Sequence, residues 1–216
     1  MSRNGLRPFL KLVFLLSGLC ALFAPLRSNA AFYVETGFGV GELRGIDKMY
    51  NSTAGSTGLG LASNLSLAAT IGNPNSLVQL HLGLQQRLTQ GGASGTSYSL
   101  MTTEPLIRLE TPRFYVGFGA TPLVWTQKGS SLGTSFSPAK GAMAAYAEFG
   151  LLWRVVPFFN LALAGSLEGV SKSGVNSPFP VAQATFQMRF FFGEGNKGGG
   201  HRKYDGWRYP FGVELF

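Results

Sequence analysis

The sequence predicts an all-β fold: a closed, antiparallel, up-and-down transmembrane barrel of eight strands with a short C-terminal tail. Three observations predict it. Apolar residues recur with period two along eight runs, and one face of nearly every run carries no charge. The connections between runs alternate between long and short. No stretch after the leader holds 18 uninterrupted apolar residues, the length at which a membrane helix becomes a candidate.

The runs are read as follows. Phe32, Val34, Thr36, Phe38 and Val40 oppose Tyr33, Glu35, Gly37 and Gly39. In the second run Leu59, Leu61, Leu65, Leu67, Ala69 and Ile71 alternate with small and polar residues from Gly58 to Thr70. The third sets Val78, Leu80, Leu82 and Leu84 against Gln79, His81, Gly83, Gln85 and Arg87. The fourth, weaker, sets Met101 to Leu109 against Thr102, Glu104, Leu106, Arg108 and Glu110. In the fifth, Phe114, Val116, Phe118, Ala120 and Val124 oppose Tyr115, Gly117, Gly119 and Thr121. The sixth alternates Met143 to Val155 with Ala144, Tyr146, Glu148, Gly150 and Arg154. The seventh sets Phe159, Leu161, Leu163 and Leu167 against Asn160 to Glu168, and the eighth sets Ala182 to Phe192 against Gln183 to Arg189.

Long connections are expected at Arg44–Ser56, Thr126–Lys140 and Val170–Pro180, with the Gly/Ser/Thr-rich stretch Thr89–Ser97 between runs three and four. Gly72-Asn73-Pro74, Thr111-Pro112 and Val156-Pro157 are the short turns, built from residues that end strands.

Composition narrows the class. Of 216 residues, 13% are charged, against about 25% in soluble domains. A hydrophobic share of 45%, with 18 phenylalanines, is too apolar for a disordered chain. The single cysteine rules out a disulfide scaffold and a multi-cysteine zinc site, and two histidines leave little for a histidine cluster. No metal, cofactor or catalytic residue is expected.

The first thirty residues read as a secretory signal peptide. Arg3, Arg7 and Lys11 make a positive start, Leu12–Leu26 is an uncharged apolar run, and Ser28-Asn29-Ala30 places small residues before a cleavage point. The 15-residue run is short for a helix that needs about 20 residues to span. Cys20 follows Leu19, not the small residue a lipoprotein site needs. Cleavage after Ala30 removes Arg3, Arg7, Lys11 and Arg27 but no acid, so the formal charge falls from +8 to +4. No basic cluster interleaved with aromatics remains, and no nucleic-acid partner is expected.

An even number of strands joined by alternating short and long connections resembles the eight-stranded outer-membrane barrels of the OmpA/OmpX type. The resemblance covers residues 31–193 and rests on pattern, with no diagnostic motif. It implies a cell outer-membrane location in a bacterium with two membranes, insertion by the barrel-assembly machinery, and periplasmic ends for the eight-strand body. The physics points the same way, because closed strands satisfy every backbone hydrogen bond where lipid offers none.

The inward faces carry Glu35, Glu104, Glu148 and Glu168 against Arg87, Arg108, Arg154 and Arg189, with Glu110 at a strand end. An isolated buried ion costs several kcal/mol, so these groups are expected to pair into a network that fills the lumen. The expected function is structural or interactional: an integral barrel with a plugged, charge-paired lumen. Loops 44–56, 126–140 and 170–180 would meet any extracellular ligand. A narrow small-solute pore is the alternative. A lipid-modifying enzyme comes third, since His81 reads inward and no serine nucleophile signature surrounds it. Asn51-Ser52-Thr53 matches a glycosylation triplet, a match common by chance. The glycines at 37, 39, 117 and 119 lack the following helix of a dinucleotide site and read as room for large lumen side chains.

Residues 194–216 form a Gly-rich linker and an aromatic tail ending at Phe216, which resembles the terminal phenylalanine read by the assembly machinery. Phe216 departs in phase from Trp207, Tyr209, Phe211, Val213 and Leu215. Three readings stand side by side: a periplasmic tail, a strand that reorganises closure, or a partner-binding segment.

Overall fold

The computed structural model describes residues 31–46, 50, 57–71, 77–93, 96–129, 135–156, 158–175 and 178–192. Residues 1–30, expected to be a signal peptide, and the tail with Phe216 lie outside the described residues. Ten strands follow in order: β1 (Phe32–Arg44), β2 (Thr57–Ile71), β3 (Gln79–Ala93), β4 (Thr96–Glu110), β5 (Phe114–Thr121), β6 (Val124–Lys128), β7 (Ser137–Pro138), β8 (Ala142–Val156), β9 (Phe159–Lys172) and β10 (Phe179–Phe192).

Eight staves close into an antiparallel ring. The ladder runs β1–β2, β2–β3, β3–β4, β4–β5, β5–β8, β8–β9, β9–β10 and back from β10 to β1. The closing pair aligns Glu35 with Arg189 and Phe38 with Phe186. Two short strands add to this ring. β6 pairs with Tyr98–Thr102 of β4, continuing along the strand that β5 begins, and β7 pairs with β6. Closure leaves the long staves without a free edge, the condition for placing strands in hydrocarbon.

The side-chain alternation has an inside-out sense. Leu59 is 80% exposed, and Phe38, Leu65, Phe118, Phe149, Leu163 and Leu167 also stand on the outer surface. Glu35, Arg108, Glu148 and Gln187 are buried within the ring. A water-soluble barrel would reverse this arrangement, hiding its leucines and exposing its ions.

The lumen is layered. Where the long loops lie, Leu43, Ile46, Leu100, Val124, Val170, Phe179 and Val181 form an apolar cluster, with Tyr50 packed against it. Toward the short turns, Tyr33, Ala68 and Leu106 pack with Phe191, while Tyr115 packs with Leu152, Ala162 and Ala164.

The strand assignments require four corrections. Val124, expected on the outer face, is 2% exposed and belongs to the inner apolar cluster. Pro122 offers no N–H to the ladder, and the Leu123 N–H turns back to Thr121 Oγ1 at 3.0 Å. Pro122 and Leu123 therefore both face outward, and the parity flips along β6. The stretch Thr126–Lys140 is not all loop, since β6 runs to Lys128 and β7 lies within it. Thr89–Ser97 is mostly strand, because β3 continues to Ala93 and β4 begins at Thr96. Val170–Pro180 is likewise shortened from both ends by β9 and β10. Glycine and serine weaken the strand signal, but continuous pairing with a neighbour carries the ladder through them.

Candidate functional site

The inward face of β1 offers Glu35, that of β4 offers Arg108, and that of β8 offers Glu148. The ring brings these three groups together across the lumen. Arg108 donates from Nη1 to Glu35 Oε2 and from Nη2 to Glu35 Oε1, both at 2.9 Å. Its Nη2 also donates to Glu148 Oε1 at 2.8 Å. The planar guanidinium suits this task because its fork matches a carboxylate edge with two parallel bonds.

The chain of charges continues in both directions. Arg87, from β3, donates from Nη2 to Glu148 Oε2 at 2.6 Å, and its Nε stands 3.3 Å from Glu104 Oε1. Arg189, from β10, donates from Nε to Glu35 Oε2 at 2.8 Å and from Nη1 to Glu110. His81 Nε2 lies 3.7 Å from Glu110 Oε2, and its ring meets Tyr33 edge-on at 5.4 Å. Six of the eight residues expected from sequence thus form one chain: Glu104, Arg87, Glu148, Arg108, Glu35 and Arg189. The other two lie at its flanks. Glu168 is within electrostatic reach of Arg87 and Glu104, and Arg154 is in the field of Glu110 and Arg189.

The sequence sets Glu110 apart as a strand-end group, but it is buried and bound by Arg189. Among the described residues the inward faces therefore carry five glutamates and four arginines, not four of each. Its inward parity on β4 was the available signal; its depth was set by the position of Arg189 on a strand distant in sequence.

A second layer of the network was not assigned from sequence. Three of the four lumen arginines lie over a tyrosine ring: Arg108 over Tyr115 at 4.0 Å, Arg87 over Tyr146 at 4.2 Å and Arg189 over Tyr33 at 4.6 Å. The rings offer the cations a polarisable face where no water competes. Tyr115 also donates its hydroxyl to Gln187 Oε1 at 2.5 Å, and Gln183 Nε2 donates to Thr89 Oγ1 at 2.5 Å.

Glu35, Glu104, Arg108 and His81 have no solvent-accessible surface. His81 is inside the ring, so lipid outside the wall does not reach it. Among the described residues, no three His, Cys, Asp or Glu side chains converge as a metal site.

The closed ring, its apolar exterior and its charged interior define a class: a small transmembrane β-barrel of the outer-membrane type. No family model matches the chain, and no curated protein matches it. Among solved structures, Neisserial surface protein A is similar in fold, with a TM-score of 0.51 and 14% identity. The alignment covers 75% of this chain and 99% of that one. OprG from Pseudomonas aeruginosa aligns at 12% identity over 76% of this chain and 96% of its own, with a TM-score of 0.31. The outer membrane protease OmpT from Escherichia coli aligns at 10% identity over the same shares, with a TM-score of 0.30. These last two scores are too low to carry an argument, and the first is a likeness of fold alone.

Proposed function

We propose that the protein is an integral outer-membrane barrel whose lumen is plugged by its own charge network, and that it acts as a scaffold presenting loops at the cell surface. One observation carries the reading: Arg108, with no exposed surface, is bound at once by Glu35 and Glu148 from two other strands. A permeation path needs polar groups that exchange their partners for a passing solute. Here an arginine and two carboxylates are committed to one another, and separating them would leave ions buried and unpaired. The loop-end cluster of Leu43, Leu100, Phe179 and Val181 adds an apolar layer in series with the charges. Interaction with an extracellular ligand falls to the connections that join β1 to β2, β6 to β8 and β9 to β10.

The experiment is single-channel recording in planar bilayers, with the protein recovered from the outer-membrane fraction of cells. The plug predicts no steady current from the wild type. A steady, ion-selective current changed by Glu148→Gln would replace the plug with a pore. Recovery only in the soluble fraction would remove the membrane assignment itself.

A further inference from the structure

The outer wall of the ring is dented beside the break between β5 and β6. Pro122, Leu123, Trp125, Ala139, Lys140 and Met143 line a cavity of about 550 Å³ there. The volume falls within the ~300–1,000 Å³ typical of small-molecule sites. Leu123 and Met143 are each about half exposed and point away from the lumen, so the dent opens on the same surface as the apolar belt. Its lining is apolar except for Lys140, which stands exposed at the mouth.

The backbone indicates which occupant fits. A broken strand normally presents free N–H and C=O groups, which would suit water or an added peptide strand. Here they are turned back on the protein. The Leu123 N–H bonds Thr121 Oγ1 at 3.0 Å, and the Leu123 carbonyl accepts Thr103 N–H at 3.1 Å. The Val124 N–H bonds the Pro122 carbonyl at 3.1 Å, and the Val124 carbonyl accepts Ala139 N–H at 2.8 Å. Across the dent, Lys140 N–H bonds the Pro138 carbonyl and Ala142 N–H the Ala139 carbonyl, both at 3.1 Å. Pro122 has no N–H to satisfy. A concavity whose backbone is spent, set in a surface that faces hydrocarbon, suits an acyl chain and has little to offer a strand.

We propose that this dent is a docking site for one acyl chain of an anionic membrane lipid, whose phosphate is held at the mouth by Lys140. The site rests on the membrane-barrel reading above and adds a specific lipid contact to it. The break at Pro122 is then a feature of recognition: the parity slip turns Leu123 outward to wall the groove and Val124 inward to seal the lumen behind it.

The test uses the full-length protein refolded into detergent micelles. It is offered phosphatidylglycerol or phosphatidylcholine with the same acyl chains and examined by native mass spectrometry. The expected result is retention of phosphatidylglycerol about fivefold above phosphatidylcholine, the ratio one basic residue near an anionic headgroup gives. Lys140→Gln should bring the two lipids close to parity. Met143→Trp, which fills the groove from its outer wall, should lose the bound lipid of both kinds. A heat-dependent shift in gel mobility, unchanged in both variants, shows that each barrel is folded. Equal retention of the two lipids by the folded wild type, or undiminished retention by folded Met143→Trp, overturns the site and leaves the barrel reading standing. Failure of the wild type to insert into vesicles with a β-sheet circular-dichroism signal overturns both.

Discussion

The ring of Tyr115 lies where a side chain on Gly150 would stand: a Cβ built on Gly150 meets the ring at 2.2 Å. The two residues face each other in register across β5 and β8. The relationship recurs four residues along the same pair of strands, where Tyr146 lies over Gly119, with a Cβ-to-ring distance of 2.6 Å. In each case an arginine, Arg108 or Arg87, covers the ring. At these two places glycine, tyrosine and arginine thus build inward from the wall, and the missing side chain leaves room for the ring beneath the guanidinium.

Gly150→Ala should therefore destabilise the barrel by about 1–3 kcal/mol, the cost of overpacking a close-packed interior. Gly165 is the control. A Cβ there meets nothing within 4 Å, so Gly165→Ala should be neutral or stabilising by up to about 1 kcal/mol. Urea unfolding of the two variants in lipid vesicles checks the pair. Equal effects would mean that the tyrosine ring does not occupy the glycine site.

Removing one member of the Arg108 clamp should cost more. Arg108→Met leaves Glu35 to Arg189 and Glu148 to Arg87, and a broken buried pair costs about 3–5 kcal/mol. Glu35→Gln in the same chain should recover part of that loss, because it withdraws a charge that has lost its bidentate partner. A double-mutant cycle on unfolding free energy measures the coupling; simple additivity would place the two side chains apart.

Among the described residues the inward faces carry one more glutamate than arginine, which gives the inward Gln85 a predictable behaviour. Gln85 faces Glu104 in register, and its side-chain nitrogen and oxygen have no protein partner. Gln85→Arg adds the missing positive charge beside Glu104. It should cost less than Leu163→Arg, which sets a charge on the outer face at about 2–4 kcal/mol if near the bilayer midplane. Folding yield into vesicles ranks the two, and a reversed ranking would exchange the faces of the wall.

Topology is testable on whole cells. The connection between β6 (ending at Lys128) and β7 (beginning at Ser137) is one of the long ones. A protease site inserted there should be cut in intact cells. Cutting only after the outer membrane is breached would invert the barrel.

Most of the architecture was legible in the chain because a strand records its two environments residue by residue. Tyr33, Glu35 and Gly37 alternate with Val34, Thr36 and Phe38, and that alternation alone separates lumen from lipid. The same parity placed eight glutamates and arginines on inward faces. It could not say which of them meet, because Arg108 and Glu35 are 73 residues apart and only ring closure brings them within 2.9 Å. Nor could it give the depth of Glu110, set by Arg189 on β10, or the seating of Tyr115 on Gly150, set by the register of β5 on β8. The side that Val124 faces is not legible in the alternation for a related reason. Period two holds only while the ladder is unbroken, and Pro122, which has no N–H to donate, interrupts it. Face is a local property written in alternation, whereas partnership and depth depend on closure and register, which the strands acquire only from one another.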